Sequence, residues 1–381
     1  MHYFDNAATT YPKPEQVYAF MDSFYRSNGV NVGRGQFSIA ADTSLLVIET
    51  RTLLQQLFKC DKTYDVIFTP SATIALNIII QGLDFKDGQV IYITPFEHNA
   101  VLRTLNFIKK KVNLNIRILD VDKTNLNYDL QKIKYDFQKF SPDYIIMSHA
   151  SNAFGTISPI KEICELATKY KATTIVDMAQ TAGLIDTNLI ESKVDFAVFA
   201  GHKTLYAPFG IAGFITDKAY KLKPLVYGGT GINSISEEMP DEGVEKFEAG
   251  SMNVLSIAGL NASLKWINEI GIDKLIEKEK ETMNKLLELL SHYPNITVFR
   301  SKTDSLGIVS CVFDGYSSDS IGKILNEFNI AVRTGLHCSP QAHDFIGTSP
   351  GGTVRFSISY FTKDEDLLAL QKALDYINQN G

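Results

Sequence analysis

Four cysteines in 381 residues (Cys60, Cys164, Cys311 and Cys338) are few, and no two of them form a CxxC pair. In a reducing compartment that scarcity excludes a disulfide framework. A basic excess is also missing: 37 lysines and arginines face 43 aspartates and glutamates, for a net charge of −6. No counterion-release drive toward a polyanion follows, so neither nucleic acid nor an acidic membrane surface is an expected partner. The apolar runs fall far short of a bilayer span. The start of the chain, MHYFDNAATTYPKP, lacks a charged leader followed by an apolar core, so no signal peptide is expected and the predicted location is cytoplasmic. Repeats and low-complexity tracts are absent. What is present is an ordinary soluble composition in a chain longer than one compact core usually holds, which predicts two domains.

Short apolar runs alternate with amphipathic helical stretches between about residues 65 and 216. DVIFT (65–69), QVIYIT (89–94), LNIRILDV (114–121), DYIIMSHA (143–150), TTIVDMA (173–179), DFAVFA (195–200) and IAGFIT (211–216) read as strands. Such alternation predicts βα units around a mostly parallel sheet, with ligands at the carboxyl ends of its strands. From about Ile257 the pattern changes. A long helical region reaches about His292 with an interruption at Gly271. NITVFR, LGIVSCVF, AVRTG and TVRFSIS then read as strands, and SSDSIGKILNEF as a helix. Thr362, three residues before Glu365, has capping-box spacing for a last helix.

The residues that carry chemistry sit where those strands end. DFAVFAGHKTLYAPFG delivers His202 and Lys203 to a carboxyl end, where partial desolvation would make a lysine amine nucleophilic, as a Schiff-base lysine must be. Most lysines are solvated surface groups, so the stretch does not decide alone. Asp177 closes an apolar strand, where a carboxylate needs a partner; a protonated pyridine nitrogen is one, a helix cap another. TPSATIALN starts a helix near Ala72, whose free N–H groups and dipole, with the Thr73 hydroxyl, suit a phosphate, or simply a cap. His98, after another strand, would stack on a flat cofactor or else cap a helix. Asn152 follows a strand and would donate to a ring oxygen. Arg355 would hold a carboxylate by two parallel bonds, or make a surface ion pair.

RTGLHCSPQAH (333–343) leaves Cys338 open as a metal ligand, a half-disulfide, a small buried group or a nucleophile. A metal needs three or four ligands in a set, which Cys338, His337 and His343 do not complete at usual spacing, so no metal is expected. Cys60, Cys164 and Cys311 lie in apolar patterns and read as core.

Together these motifs resemble the class V aminotransferase family of pyridoxal-phosphate enzymes and, within it, the cysteine desulfurases. YFDNAATTYPKP, NVGRG, SATIALN, FEHNAV, HASNAFGT, VDMAQ, GHKTLYAPFG, KFEAGSMN, RTGLHC and TVRFSISYFT carry the resemblance along nearly the whole chain. It implies an α/β fold of the type I pyridoxal-phosphate transferases. A large, mostly parallel seven-stranded domain (16–255) would pair with a small α+β C-terminal domain (256–381), the segment 1–15 packing near the active site. It implies a homodimer with each site at the interface. Lys203 would hold the cofactor covalently, Asp177 pair with its ring nitrogen, Gln180 and Asn152 contact the ring oxygen, and His98 stack on the ring and shuttle protons. Ala72, Thr73 and His202 would bind the phosphate with Ser251 of the other subunit. Arg355 would take the substrate carboxylate, with Arg333 and Arg34 nearby and Asn152 beside it. Cys338, its thiolate favoured by Arg333 and His337, would take sulfur from L-cysteine, leaving alanine and a persulfide.

The short interval from Arg333 to Cys338 resembles the Suf-type, group II enzymes and implies a separate sulfur-acceptor protein. Ala200 stands where the family often has a phosphate-binding serine, and Leu336 where the Suf-type enzymes commonly have a histidine. The competing readings are a selenocysteine lyase, another class V aminotransferase, and a cofactor-bearing scaffold that binds a sulfur carrier without turnover.

Overall fold

The computed structural model describes residues 1–32, 35–217, 222–232 and 235–380. Arg34 lies outside the described residues. The strands, in chain order, are β1 (His2–Tyr3), β2 (Tyr64–Thr69), β3 (Val90–Ile93), β4 (Asn115–Ile118), β5 (Tyr144–Ser148), β6 (Thr173–Asp177), β7 (Phe196–Ala200), β8 (Ala212–Asp217), β9 (Ile296–Phe299), β10 (Ile308–Phe313), β11 (Ile330–Ala331), β12 (Arg333–Gly335) and β13 (Thr353–Ser357).

Among the described residues, seven strands form one sheet in the order β2-β8-β7-β6-β5-β3-β4. The five strands from β7 to β4 run parallel, and β8 is antiparallel to both its neighbours. The apolar run FAVFA explains the centre of this sheet: every residue of β7 is buried, as it must be in a strand covered by helices on both faces. In-register pairing sets Ser148 beside Asp177 and Asp177 beside Val198. The ends of β5, β6 and β7 therefore open at one place. The fold is the α/β fold that the sequence implies, with a second, antiparallel sheet in the C-terminal part in the order β12-β13-β10-β9. That sheet has its own apolar core, in which Met283, Leu286, Val309, Phe356, Leu370 and Leu374 are all buried.

Two local expectations need correction. AVRTG is not one strand. Ile330–Ala331 pairs in parallel with His2–Tyr3, whereas Arg333–Gly335 pairs with β13, and the break at Val332 turns Arg333 opposite Arg355. The capping box at Thr362 does not form. The Thr362 hydroxyl accepts from Ser359 N (3.0 Å), the helix spans Asp364–Asn380, and it is Asp366 Oδ2 that reaches back to Lys363 N (2.8 Å). One helical turn thus takes its reciprocal cap one residue later than the spacing suggests.

The first residues bridge the two sheets. Phe4 is fully buried in the C-terminal core against Phe356, with ring centroids 6.1 Å apart. Downstream, Thr9 Oγ1 (2.9 Å), Thr10 N (3.1 Å) and Lys13 Nζ (2.6 Å) all donate to the His202 carbonyl, and Thr10 Oγ1 donates to that of Lys203 (2.9 Å). Four donors on two successive carbonyls fix the backbone that carries Lys203.

Candidate active site

A cavity of about 230 Å³ opens at the carboxyl ends of β5, β6 and β7. Its walls include Ala72, Thr73, His98, Asn152, Asp177, Gln180, His202, Lys203, Arg333, Cys338 and Arg355. Of the described residues to which the resemblance assigns cofactor, substrate or catalytic roles, Ser251 alone lies elsewhere. It is exposed and lines a separate surface groove with Ile74, Gly210 and Val226.

Asp177 is buried, and Ala179 N donates to its Oδ1 at 2.9 Å. Burial raises its pKa, against that hydrogen bond and the nearby Lys203 charge. The Lys203 amine is pulled down to about 8 by burial, with Arg355 and Arg333 adding repulsion and Asp177 opposing. A lysine near 8 is free amine often enough to act as nucleophile or base at neutral pH.

His98 is both the cap and the cavity wall that the sequence offered as alternatives. Its Nδ1 accepts from Ala100 N at 3.0 Å, at the start of the helix Asn99–Ile108. That bond leaves the proton of the neutral ring on Nε2. Burial, with Lys203, Arg103, Arg333 and Arg355 around it, lowers its pKa to about 4. The proton shuttle implied for His98 would therefore start from a neutral imidazole. Beneath it lies a residue the sequence reading passed over. Glu97 is fully buried, accepts from Thr94 Oγ1 (2.6 Å), Ser148 N (2.8 Å) and Ser148 Oγ (3.0 Å), and so ties the ends of β3 and β5 together.

The arginines are organised by Asp5, also missed. Arg355 is 1% exposed, and its Nη2 donates to Asp5 Oδ1 at 2.7 Å while Nη1 donates to the Asn152 carbonyl at 2.8 Å. Arg333 Nε stands 3.7 Å from Asp5 Oδ2. Arg355 is thus no surface ion pair, and its buried Nε has no partner. Side-chain amides close the site: Gln180 Nε2 donates to the Ala7 carbonyl (2.9 Å) and Asn152 Nδ2 to the His337 carbonyl (2.7 Å). His202 stacks on Phe209 (centroids 4.7 Å, 26°), and its Nδ1 is buried without a partner. Burial lowers the His202 pKa to about 3.

Cys338 is exposed, whereas Cys60, Cys164 and Cys311 are buried. Burial pushes the Cys60 thiol up to about 11 and the Cys164 thiol up to about 12, so both stay protonated. One expected neighbour drops out. His337 faces inward, its Nε2 2.9 Å from Thr353 Oγ1, and burial holds its pKa far below the usual histidine range. It carries no charge to favour a thiolate, which leaves Lys203, Arg355 and Arg333 as cations lining the cavity with Cys338.

The arrangement unites a buried carboxyl, a depressed lysine, a buried arginine with an unused N–H and an exposed thiol. That set can bind a flat cationic ring, hold a carboxylate and attack sulfur. The family model for class-V aminotransferases matches residues 2–370. A protein of Methanothermobacter thermautotrophicus named a probable cysteine desulfurase is 29% identical over 391 aligned positions, covering 100% of this chain and 96% of that one. The apo structure of a cysteine desulfurase from Thermococcus onnurineus NA1 superposes with a TM-score of 0.93 at 26% identity, covering 100% of this chain and 95% of that one. The cysteine desulfurase CsdA from Escherichia coli superposes with a TM-score of 0.86 at 25% identity, covering 98% and 94%.

Proposed function

The chain belongs to the class-V aminotransferase family, and from that premise we propose that it is a pyridoxal-phosphate-dependent cysteine desulfurase. It converts L-cysteine to L-alanine and leaves the sulfur as a persulfide on Cys338 for a separate acceptor protein. The observation that carries this reading is that Lys203, Asp177, Arg355 and the exposed Cys338 thiol open onto one cavity.

The side chains fit the cofactor. His202 Nδ1 is a buried polar atom with no protein partner, and the helix Ala72–Gly82 ends its free N–H groups at the same wall beside Thr73. Thr73 and His202 would take the phosphate, with Ser251 of a second subunit. Asp177 would keep the ring nitrogen protonated, His98 would stack on the ring, Gln180 and Asn152 would lie near its oxygen, and Lys203 would hold it covalently. When bound, pyridoxal phosphate supplies an electron-withdrawing ring that makes the substrate α-hydrogen acidic.

The chain's own groups do the rest. Arg355, with Arg333 beside it, binds the substrate carboxylate and fixes the amino acid relative to Lys203. Asp5 offsets part of the charge of the two guanidiniums. Lys203 Nζ, near 8, accepts the α-proton and returns a proton to carbon. Cys338 Sγ, as thiolate, forms the new S–S bond to the substrate sulfur as the carbon–sulfur bond breaks. The purified protein should release alanine and sulfide in equal amounts from L-cysteine with a thiol reductant. Amino transfer to a keto acid without sulfide would overturn the reading.

A homodimer belongs to the same proposal. Ser251 stands away from Lys203 in its own chain, beside apolar groups that solvent would not favour. Phe209 is 65% exposed, Val226 51% and Tyr227 72%. The loop bearing Ser251 is anchored to β2 by Glu248, which pairs with Arg51 Nη2 (2.6 Å) and accepts from Phe68 N (2.6 Å). Since Ala200 offers no hydroxyl, Ser251→Ala should weaken cofactor retention by roughly tenfold, one lost charge-assisted hydrogen bond. Dialysis against buffer and the loss of visible absorbance measure it; unchanged retention, or a fully active monomer by sedimentation, would contradict the shared site.

A further inference from the structure

We propose that Ser339 and Asn152 form a clamp that sets the position of the Cys338 thiol, and that both are positioning residues for sulfur transfer. The inference rests on the reading of Cys338 as the sulfur acceptor. Its starting point is backbone strain. His337 and Cys338 are consecutive non-glycine residues in the left-handed region, at φ +50° and +58°. Side chains disfavour that conformation, and it persists only where the surroundings over-determine it.

The loop is held both from outside and by a bond of its own. The His337 carbonyl accepts from Asn152 Nδ2 at 2.7 Å and the Cys338 carbonyl from Asn99 N at 2.7 Å. Ser339 N donates to the Leu336 carbonyl at 2.8 Å. The His337 ring bonds Thr353 Oγ1 (2.9 Å), whose hydroxyl donates to Ser310 Oγ (3.0 Å), which in turn donates to the Ala153 carbonyl (2.7 Å).

Ser339 is the telling member. It stands immediately before Pro340, which opens the helix Pro340–Ile346, and a serine there ordinarily accepts from the helix N–H groups. Here its side chain makes no cap. The fully buried hydroxyl donates to Asn152 Oδ1 at 2.6 Å. With Oδ1 accepting from Ser339 and Nδ2 donating to His337, the amide has one orientation. Asn152 grips the residues on both sides of Cys338. Its own carbonyl accepts from Arg355 Nη1 at 2.8 Å, so the same residue joins the carboxylate arginine to the thiol. Substrate carboxylate and attacking sulfur are thereby referred to a common point. Asn152 thus reaches past the cofactor wall to the sulfur loop.

The test compares the holoenzyme with Ser339→Ala and Ser339→Thr. Ser339→Ala should alkylate faster with iodoacetamide at Cys338 and exchange amide hydrogens faster over residues 336–340. Its kcat for sulfide should fall roughly tenfold with KM within about twofold, the signature of a misplaced attacking atom. Ser339→Thr, which keeps the hydroxyl, should restore all three. Wild-type alkylation and exchange in Ser339→Ala would overturn the clamp whatever happens to turnover, and so would a rise in KM alone. If the wild-type protein makes no sulfide, the desulfurase reading fails separately, and alkylation and exchange still decide the clamp.

Discussion

Lys203→Ala is expected to lose covalent cofactor and to lower desulfuration by about 10³-fold or more, the scale of removing both a nucleophile and a positioned base. The burial that depresses Lys203 also denies it an ordinary ion pair: Asp177 opposes the shift but does not cancel it, and the amine stays near 8. At pH 7 about one such amine in ten is unprotonated, whereas for an unperturbed lysine the fraction is below about one in a thousand. The sign of the pH effect follows. Protonation blocks attack on the cofactor aldehyde, so reconstitution of apo-protein should speed up as pH rises through about 8 and level off above it. The rate of appearance of the visible band after mixing with pyridoxal phosphate reads this directly. A rate that keeps climbing to the ordinary lysine range would show that burial does not activate Lys203, and a stable visible band in Lys203→Ala would remove it from the mechanism.

Lys203 and Asp177 were legible because both follow apolar runs that have one structural use, as central strands, and a parallel sheet gathers such ends at one edge. Asp5 was not. Its partner Arg355 is 350 residues away, and a single carboxylate in YFDNAATT gives no local sign of an ion pair made across two sheets. The same limit explains His337 and Arg333, two basic residues four apart. Side-chain direction separates them: the ring turns inward to Thr353, and burial strips its charge, while Arg333 keeps an exposed guanidinium. Tertiary contacts also compete with local rules for a hydroxyl: Ser339 stands before Pro340 in a capping position, yet its hydroxyl donates to Asn152 Oδ1. Ser251 shows a different limit: within one chain it is exposed on a separate groove, and the phosphate contact proposed for it needs a second copy of the chain.

Cys338→Ser should abolish sulfide release, by roughly 10³-fold or more, while leaving cofactor binding intact. The groups proposed to hold the cofactor and the substrate carboxylate lie on other elements: Lys203 follows β7, Asp177 ends β6 and Arg355 sits within β13. Serine keeps the size of the side chain and the left-handed backbone already imposed by its neighbours, so the loop should retain its shape. What is lost is the polarizable thiolate, since a hydroxyl is too weak a nucleophile toward sulfur at neutral pH. The visible band of the serine variant, and its change on adding L-cysteine, should therefore match the parent. Mass spectrometry of the parent after L-cysteine should place one added sulfur on the peptide holding Cys338 and none on those holding Cys60, Cys164 or Cys311. Those three are buried, and the Cys60 and Cys164 thiols are held protonated up to about 11 and about 12. Normal sulfide release by Cys338→Ser would sink the nucleophilic role and favour a lyase that expels its leaving group unaided. Sulfur found on a buried cysteine would require that the core open during turnover, which amide exchange across β10, the strand of Cys311, would then register.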